Sequence, residues 1–170
     1  MVQYIAEESL ELIFALISER YSKIEEVPHY STEAGFKKFC SVLLQAEEDS
    51  YYPSVLDKAM YLLIGINKGH FFSNGNKRLA LVITTVFLGI NDLWLKAETK
   101  ERYRGILENL FPEYAQWGDF EEFTSTDFAT YNLSIMIADS GVYGISHDEL
   151  KRRVRTFLEQ STETFTISKA

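Results

Sequence analysis

Apolar residues recur along this chain at intervals of three and four, the period of a helix with one buried face. Between Ile5 and Tyr21 they fall at Leu10, Ile13, Phe14 and Ile17, which predicts a first helix. Pro28 and the His-Tyr-Ser after it interrupt the pattern. Ser31 or Thr32 then offers a capping oxygen for a second helix running to about Glu47, with Phe36, Phe39, Leu43 and Leu44 inward. Pro53 suits the first turn of a third helix that buries Val55, Ala59, Leu62, Leu63 and Ile66 and ends at Gly69. A fourth, from about Gly75 to Asn91, is apolar on nearly every face, through Leu79, Ala80, Val82, Ile83, Val86, Phe87 and Ile90. That pattern assigns it to the middle of a bundle. Further helices are expected from Glu98 to Leu110, Phe120 to Ala138 and Ser146 to Glu159, the last opened by a capping box of Ser146 and Glu149. Strand signal is confined to a short hairpin near Glu48 to Tyr52. The expected fold is all-α: a helical bundle over residues 1–160, a short β-hairpin, and a flexible Ser- and Thr-rich tail over 161–170.

Composition narrows the classes of function. A length of 170 residues suits one domain, and 46% hydrophobic with 25% charged residues is the balance of a soluble globular protein. The formal net charge of -8 argues against a broad attraction to nucleic acid or to an anionic membrane. A basic run, Lys151, Arg152, Arg153 and Arg155, reads as a solvated helix face, with nucleic-acid contact the minor alternative. Cys40 is alone, so the chain has no intramolecular disulfide or cysteine metal cluster, and the residue reads as a small buried hydrophobe. His29 and His147 have no second ligand at a metal-binding spacing. The acidic, amphipathic N-terminus is unlike a signal peptide. The longest apolar run, Leu79 to Ile90, is a dozen residues, where a membrane span needs about twenty. A cytoplasmic protein without membrane contact is expected.

The densest chemistry lies between the third and fourth helices, in His70-Phe71-Phe72-Ser73-Asn74-Gly75-Asn76-Lys77-Arg78. A helix N-terminus carries unpaired N–H groups and partial positive charge, so it attracts anions and disfavours cations. Lys77 and Arg78 in the first turn break that rule, and a bound polyphosphate would reconcile both with the dipole. Gly75 gives the backbone freedom where the helix begins. Taken singly, a histidine at a helix end is most often structural and a Lys-Arg pair most often solvated. Their concentration beside the most apolar helix favours a phosphate site.

This string resembles the Fic/Doc motif, commonly HPFxDGNGR, and especially its Doc-like form ending in NKR. Tyr52-Pro53, Asp57-Lys58-Ala59, Ala80, Phe87-Leu88 and Asn91 fit the same family, and the likeness covers about residues 40 to 95. The resemblance implies that His70 is the general base that takes a proton from a hydroxyl of a target protein. It implies that Phe72 anchors the loop, that Gly75, Asn76, Lys77 and Arg78 bind nucleotide phosphates, and that Asn74 stands at the metal position. The implied cofactors are ATP or a related nucleotide and Mg²⁺. Two departures carry weight. Asn74 offers a neutral amide where the family has Asp or Glu, which weakens the site for a hard cation; a carboxylate from Glu47, Glu48 or Asp49 is the candidate substitute. Lys77 replaces a glycine, and Leu81 stands where AMP-transferring members have an arginine, so phosphate transfer is favoured over AMP transfer.

The expected function is a Doc-like phosphotransferase acting on a Ser, Thr or Tyr hydroxyl of a target protein, as the toxin of a toxin-antitoxin pair. The alternatives are an AMP-transferring enzyme and a catalytically weakened protein that binds nucleotide or a partner. The family's inhibitory pattern, Ser/Thr-x-x-x-Glu-Gly/Asn, has no match: Arg104 to Asn109 ends correctly but starts with Arg. Restraint would therefore come from a separate antitoxin. The segment Glu48 to Pro53 resembles the flap that docks a target peptide as an added strand. The aromatic, acidic stretch Tyr114 to Phe128 finds no place in this scheme except as a partner surface.

Overall fold

The computed structural model describes residues 1–23 and 26–164. Among these, helix α1 spans Glu7–Tyr21, a 3-10 turn spans Tyr30–Thr32, and α2 (Phe36–Gln45), α3 (Val55–Lys68) and α4 (Asn76–Ile90) follow. Strand β1 (Leu93–Leu95) leads into α5 (Lys100–Leu110), α6 (Ser125–Asp139), α7 (His147–Ser161) and strand β2 (Thr162–Thr164). The molecule is mostly helical, with one small antiparallel sheet that pairs Leu93 with Thr164, Trp94 with Glu163 and Leu95 with Thr162. None of the described helices is long and apolar enough to cross a membrane.

Helices α3 and α4 form the central pair, and α3 also packs against α2, α6 and α7. The sequence marks α4 as the helix apolar all round, yet α3 is the more completely enclosed. Ala59, Met60, Leu62, Leu63, Ile64 and Ile66 are buried, and so are two polar residues, Lys58 and Asn67. Lys58 is fully buried because its ammonium has partners: it donates to the carbonyl of Ala46 at 2.8 Å and pairs with Asp49 at 2.8 Å. The charge also lies 5.4 Å from the centre of the Tyr4 ring. One side chain thus ties the N-terminal segment and the end of α2 to the centre of the bundle.

The helix starts differ from expectation in instructive ways. Ser31 and Thr32 form the 3-10 turn, and Gly35 occupies the N-cap of α2 without a side-chain cap. Pro53 lies one residue before the cap of α3, where Ser54 and Asp57 make a full capping box. At α7, Ser146 accepts from the N–H of Glu149, but the Glu149 carboxylate is held by Arg152 and Arg153 and does not reach back. The reciprocal box forms instead at α6, between Thr124 and Asp127.

Strand pairing is also displaced. Glu48 to Tyr52 folds as turns, because the N–H groups of Tyr51 and Tyr52 are donated back to the carbonyl of Glu48 at 3.1 and 3.0 Å. Those local bonds use the donors that a hairpin would need. The sheet forms instead where the sequence predicts a frayed tail: Thr162–Thr164 pairs with β1. The Lys96 N–H extends that contact by donating to the Ser161 carbonyl at 2.8 Å. Residues 165–170 of the expected tail lie outside the described residues.

Candidate active site

The loop between α3 and α4 is fixed from both sides. Its aromatic anchor, Phe72, is 4% exposed and meets Tyr30 nearly edge-on, with ring centres 4.9 Å apart. Phe39 lies 5.6 Å away on the same socket, and Phe14 backs Tyr30 at 4.8 Å. Asn76 locks the turn by using its whole amide on one residue. Its oxygen accepts from the Phe72 N–H at 3.1 Å and its nitrogen donates to the Phe72 carbonyl at 2.8 Å. Ser73 donates both its N–H and its hydroxyl to Glu33, at 2.8 and 2.6 Å. Gly35 passes so close to the carbonyl of Phe71 that a side chain there has no room.

His70 follows the Gly69 cap of α3 in the left-handed region, at φ 47°, and is exposed. That conformation costs a non-glycine residue roughly 1–2 kcal/mol, and histidine tolerates it better than most. The surrounding packing holds it there, and its imidazole hydrogen-bonds nothing among the described residues. Gly75 caps α4 at φ 73°, and a Cβ at this position would come within 2.9 Å of the Tyr30 hydroxyl. With no side-chain cap on this helix, the N–H groups of its first turn point out of the helix end and are not used by the helix itself. Any phosphate contact by Asn76 falls to its backbone, because the side chain is committed to Phe72.

Asn74 is engaged at both ends. Its oxygen accepts from the Gly75 N–H at 2.7 Å and its nitrogen donates to the carbonyl of Glu26 at 3.1 Å. The carboxylates expected to compensate do not come to the loop. Asp49 pairs with Lys58, and Glu33, which sequence reasoning passed over, is the one that reaches the neighbouring Ser73. Among the described residues no group of three His, Cys, Asp or Glu side chains is placed to hold a metal ion.

A cleft of about 950 Å³ opens beside the loop. One wall carries His70, Asn74, Gly75, Lys77 and Arg78. Arg20 and Tyr21 from the end of α1 join them, and Arg78 stacks on Tyr21 with its guanidinium carbon 4.5 Å from the ring centre. The lining also includes Phe120, Phe123, Thr126, Asp127 and Tyr131. Phe120, Phe123 and Tyr131 form a mutual cluster, with ring centres 4.9 to 5.7 Å apart. Part of the aromatic stretch that had no role in the sequence, between Phe120 and Asp127, therefore lines the cleft, while Tyr114, Trp117 and Phe128 pack on one another. Its signal, rings interleaved with carboxylates, does not reveal from the sequence alone which element it faces.

Away from the cleft, the arginines of the basic run have acidic partners. Arg152 pairs with Glu149, Arg153 with Glu113 and Glu149, and Arg155 with Asp57 and Glu159. These arginines pair with carboxylates, the arrangement of a helix face that carries both signs of charge. Burial, with Glu7 nearby, holds the Cys40 thiol above its usual range, the behaviour of an inert cysteine.

No curated protein and no solved structure matches the chain. Among protein families there is a match to the Fic/DOC family over residues 4–88, half of the chain. It reaches further toward the N-terminus than the motif-based resemblance, taking in α1 and α2, which build the aromatic socket beneath the loop. The match is to the family as a whole and does not separate its branches. With its motif loop held between α3 and α4 and its match running from α1 through most of α4, the chain belongs to the Fic/DOC family.

Proposed function

We propose that this protein is a transferase that moves a phosphate-containing group from a nucleotide onto a hydroxyl of another protein, and that the group is the terminal phosphate, as in the Doc-like branch. The observation that carries this reading is the position of His70. It is exposed at the edge of the cleft and held at positive φ, beside a helix N-terminus whose first turn bears Lys77 and Arg78. His70 is the group that would accept the proton of an incoming hydroxyl as its oxygen forms the new bond to the terminal phosphorus and the bond from that phosphorus to the bridging oxygen breaks, releasing the nucleoside diphosphate. Lys77, Arg78 and the first-turn N–H groups of α4 would hold the phosphates. The rings of Phe120, Phe123 and Tyr131 in the same cleft suit a planar base.

The donors present do not fit a protein-held Mg²⁺. Asn74 supplies only a neutral oxygen already bonded to the Gly75 N–H, and no other loop residue replaces it. The chemistry assigned to His70 and to the α4 terminus needs no such ligand.

The test is label transfer in a cell lysate with the full-length protein. Label on the terminal phosphate of the nucleotide is expected to appear on a target protein, whereas label on the phosphate next to the ribose is not. His70→Ala is expected to lower transfer by about 10²–10⁴-fold without loss of folding, the usual contribution of a general base. Transfer of the ribose-proximal label would make the reaction nucleotidylation, and equal transfer by the His70→Ala variant would overturn the mechanism. If the protein is a toxin restrained by a separate antitoxin, its expression alone slows growth and the His70→Ala form does not. Asn74 favours one second reading, a protein that binds nucleotide without turnover. Restoration of transfer by Asn74→Asp in an otherwise inactive wild type would support that version.

A further inference from the structure

Helix α1 ends where the cleft begins. Arg20 in its last turn and Tyr21 at its end both border the cleft, together with Lys77 and Arg78. The Tyr21 ring centre lies 4.5 Å from the guanidinium carbon of Arg78 and 5.6 Å from that of Arg20. An aromatic ring attracts both cations through its quadrupole and so lets two like charges gather at one edge of the cleft. Asn74, the residue best placed to bring in a divalent cation, is spent on local bonds. Turning its oxygen toward a metal would release the Gly75 N–H, and turning its nitrogen away would release the carbonyl of Glu26. An independent feature marks the cleft as built for a polar ligand. Asn67, 2% exposed and part of the lining, donates through Nδ2 to the Ser134 carbonyl at 3.0 Å, while its Oδ1 has no hydrogen-bond partner. The bond to Ser134 identifies the oxygen as the unsatisfied atom; it needs a donor, so it speaks for a hydroxyl or amino group elsewhere on a ligand and not for the phosphates, whose case rests on the cations.

We infer that the cleft takes a polyphosphate as a free anion, its charge met by Arg20, Lys77, Arg78 and the N-terminus of α4 instead of by a divalent cation. The inference rests on the phosphate reading proposed above. It adds Arg20 as a direct ligand and Tyr21 as the positioning residue for the guanidiniums, and it removes a metal requirement from binding. Asn74 and Lys77 act in the same direction: the first omits a negative charge that would otherwise oppose the anion, and the second supplies a positive one. The partial charge of the helix terminus, roughly half an elementary charge, adds to the three cations.

Calorimetric titration of the full-length protein with inorganic tripolyphosphate, in EDTA and in Mg²⁺, tests this. The dissociation constant in EDTA is expected to lie within about threefold of that in Mg²⁺ and to rise with salt. Arg20→Gln, an exposed position where folding is not at risk, is expected to weaken binding in EDTA about tenfold, as loss of one charge-assisted contact does. Tyr21→Leu should weaken it as well, with Arg78 losing its stacking surface. Binding that appears only with Mg²⁺ overturns the inference and leaves the phosphate reading standing, and so does an Arg20→Gln variant that binds as tightly as the wild type. Absence of binding in both buffers overturns the phosphate reading itself and this inference with it.

Discussion

At the scale of single residues, one position decides the form of the loop and another the joining of α2 to α3. Gly75 combines a left-handed backbone with a Cβ direction that points at the Tyr30 hydroxyl, 2.9 Å away. Gly75→Ala is therefore expected to cost about 1–2 kcal/mol from the backbone alone. It should also abolish tripolyphosphate binding, which thermal unfolding and titration together would show. Lys58 is the structural counterpart. Its buried ammonium serves the Ala46 carbonyl and Asp49, and although burial pulls its pKa down, the bonds to Asp49 and Tyr4 raise it above the usual lysine value. Lys58→Met leaves that carbonyl unsatisfied and is expected to destabilise the fold by about 1–3 kcal/mol. Asp49→Asn keeps an oxygen for the buried ammonium but removes its counter-charge, so it too is expected to lower the midpoint of a denaturant titration. Each variant strands a buried group, the first the Ala46 carbonyl and the second the Lys58 charge.

At the scale of elements, α7 is tied to the bundle by carboxylates whose pKa values are depressed. Bonds from Arg152 and Arg153 hold Glu149 at about 2, against an ordinary 4.5. Glu113 is lowered by Arg153, and Asp57 is lowered by Ser54 and Arg155 despite the opposing effect of burial. A carboxylate whose pKa is lower in the folded state binds fewer protons there than in the unfolded chain. Its contribution is thus complete above the unfolded value and is lost as pH falls through the folded one. Stability is expected to fall from about pH 4.5 down toward the folded value of about 2 for Glu149. Arg153→Leu should flatten that slope, because Glu113 and Glu149 both lose a partner. Urea midpoints measured across this range would reveal the difference, and an unchanged slope would count against the ion pairs. The same pairs account for the basic run, whose charges hold α7 in place.

At the scale of the whole molecule, the family match and the folding unit do not coincide. The match covers residues 4–88, yet α3 packs on α6 and α7, which contribute buried Phe128, Leu133, Ile137, Val154 and Phe157. Cutting the chain after residue 92 would expose the faces of α3 that these helices cover and would remove β1 and β2 together. Such a fragment is expected to lack a cooperative thermal transition by circular dichroism, whereas the full chain shows one. The cleft has the same dependence, because its lining comes partly from the family segment and partly from residues 120–138.

Features governed by local chemistry were legible along the chain. Helical periodicity located the described α-helices, since a buried face must repeat every turn, but set the starts of α2 and α6 about one turn too early, at Thr32 and Phe120 against the observed Phe36 and Ser125. The His70 to Arg78 string carried the family and singled out the candidate for a phosphate site, since a helix start bearing Gly75, Lys77 and Arg78 is unusual whatever surrounds it. What those residues meet was settled by packing. Asn76 is occupied with Phe72, Asn74 with Gly75 and Glu26, and Glu33 with Ser73, none of which is visible in spacing. Arg20 and Tyr21 reach the cleft because α1 ends beside it, and the rings of Phe120, Phe123 and Tyr131 reach it because α6 packs across α3 and α4. The sheet forms at Thr162–Thr164 because β1 lies beside it with strand edges to satisfy, while Glu48 to Tyr52 turns back on itself. Such pairings depend on which distant segments the core brings together, and no window of neighbouring residues contains that information.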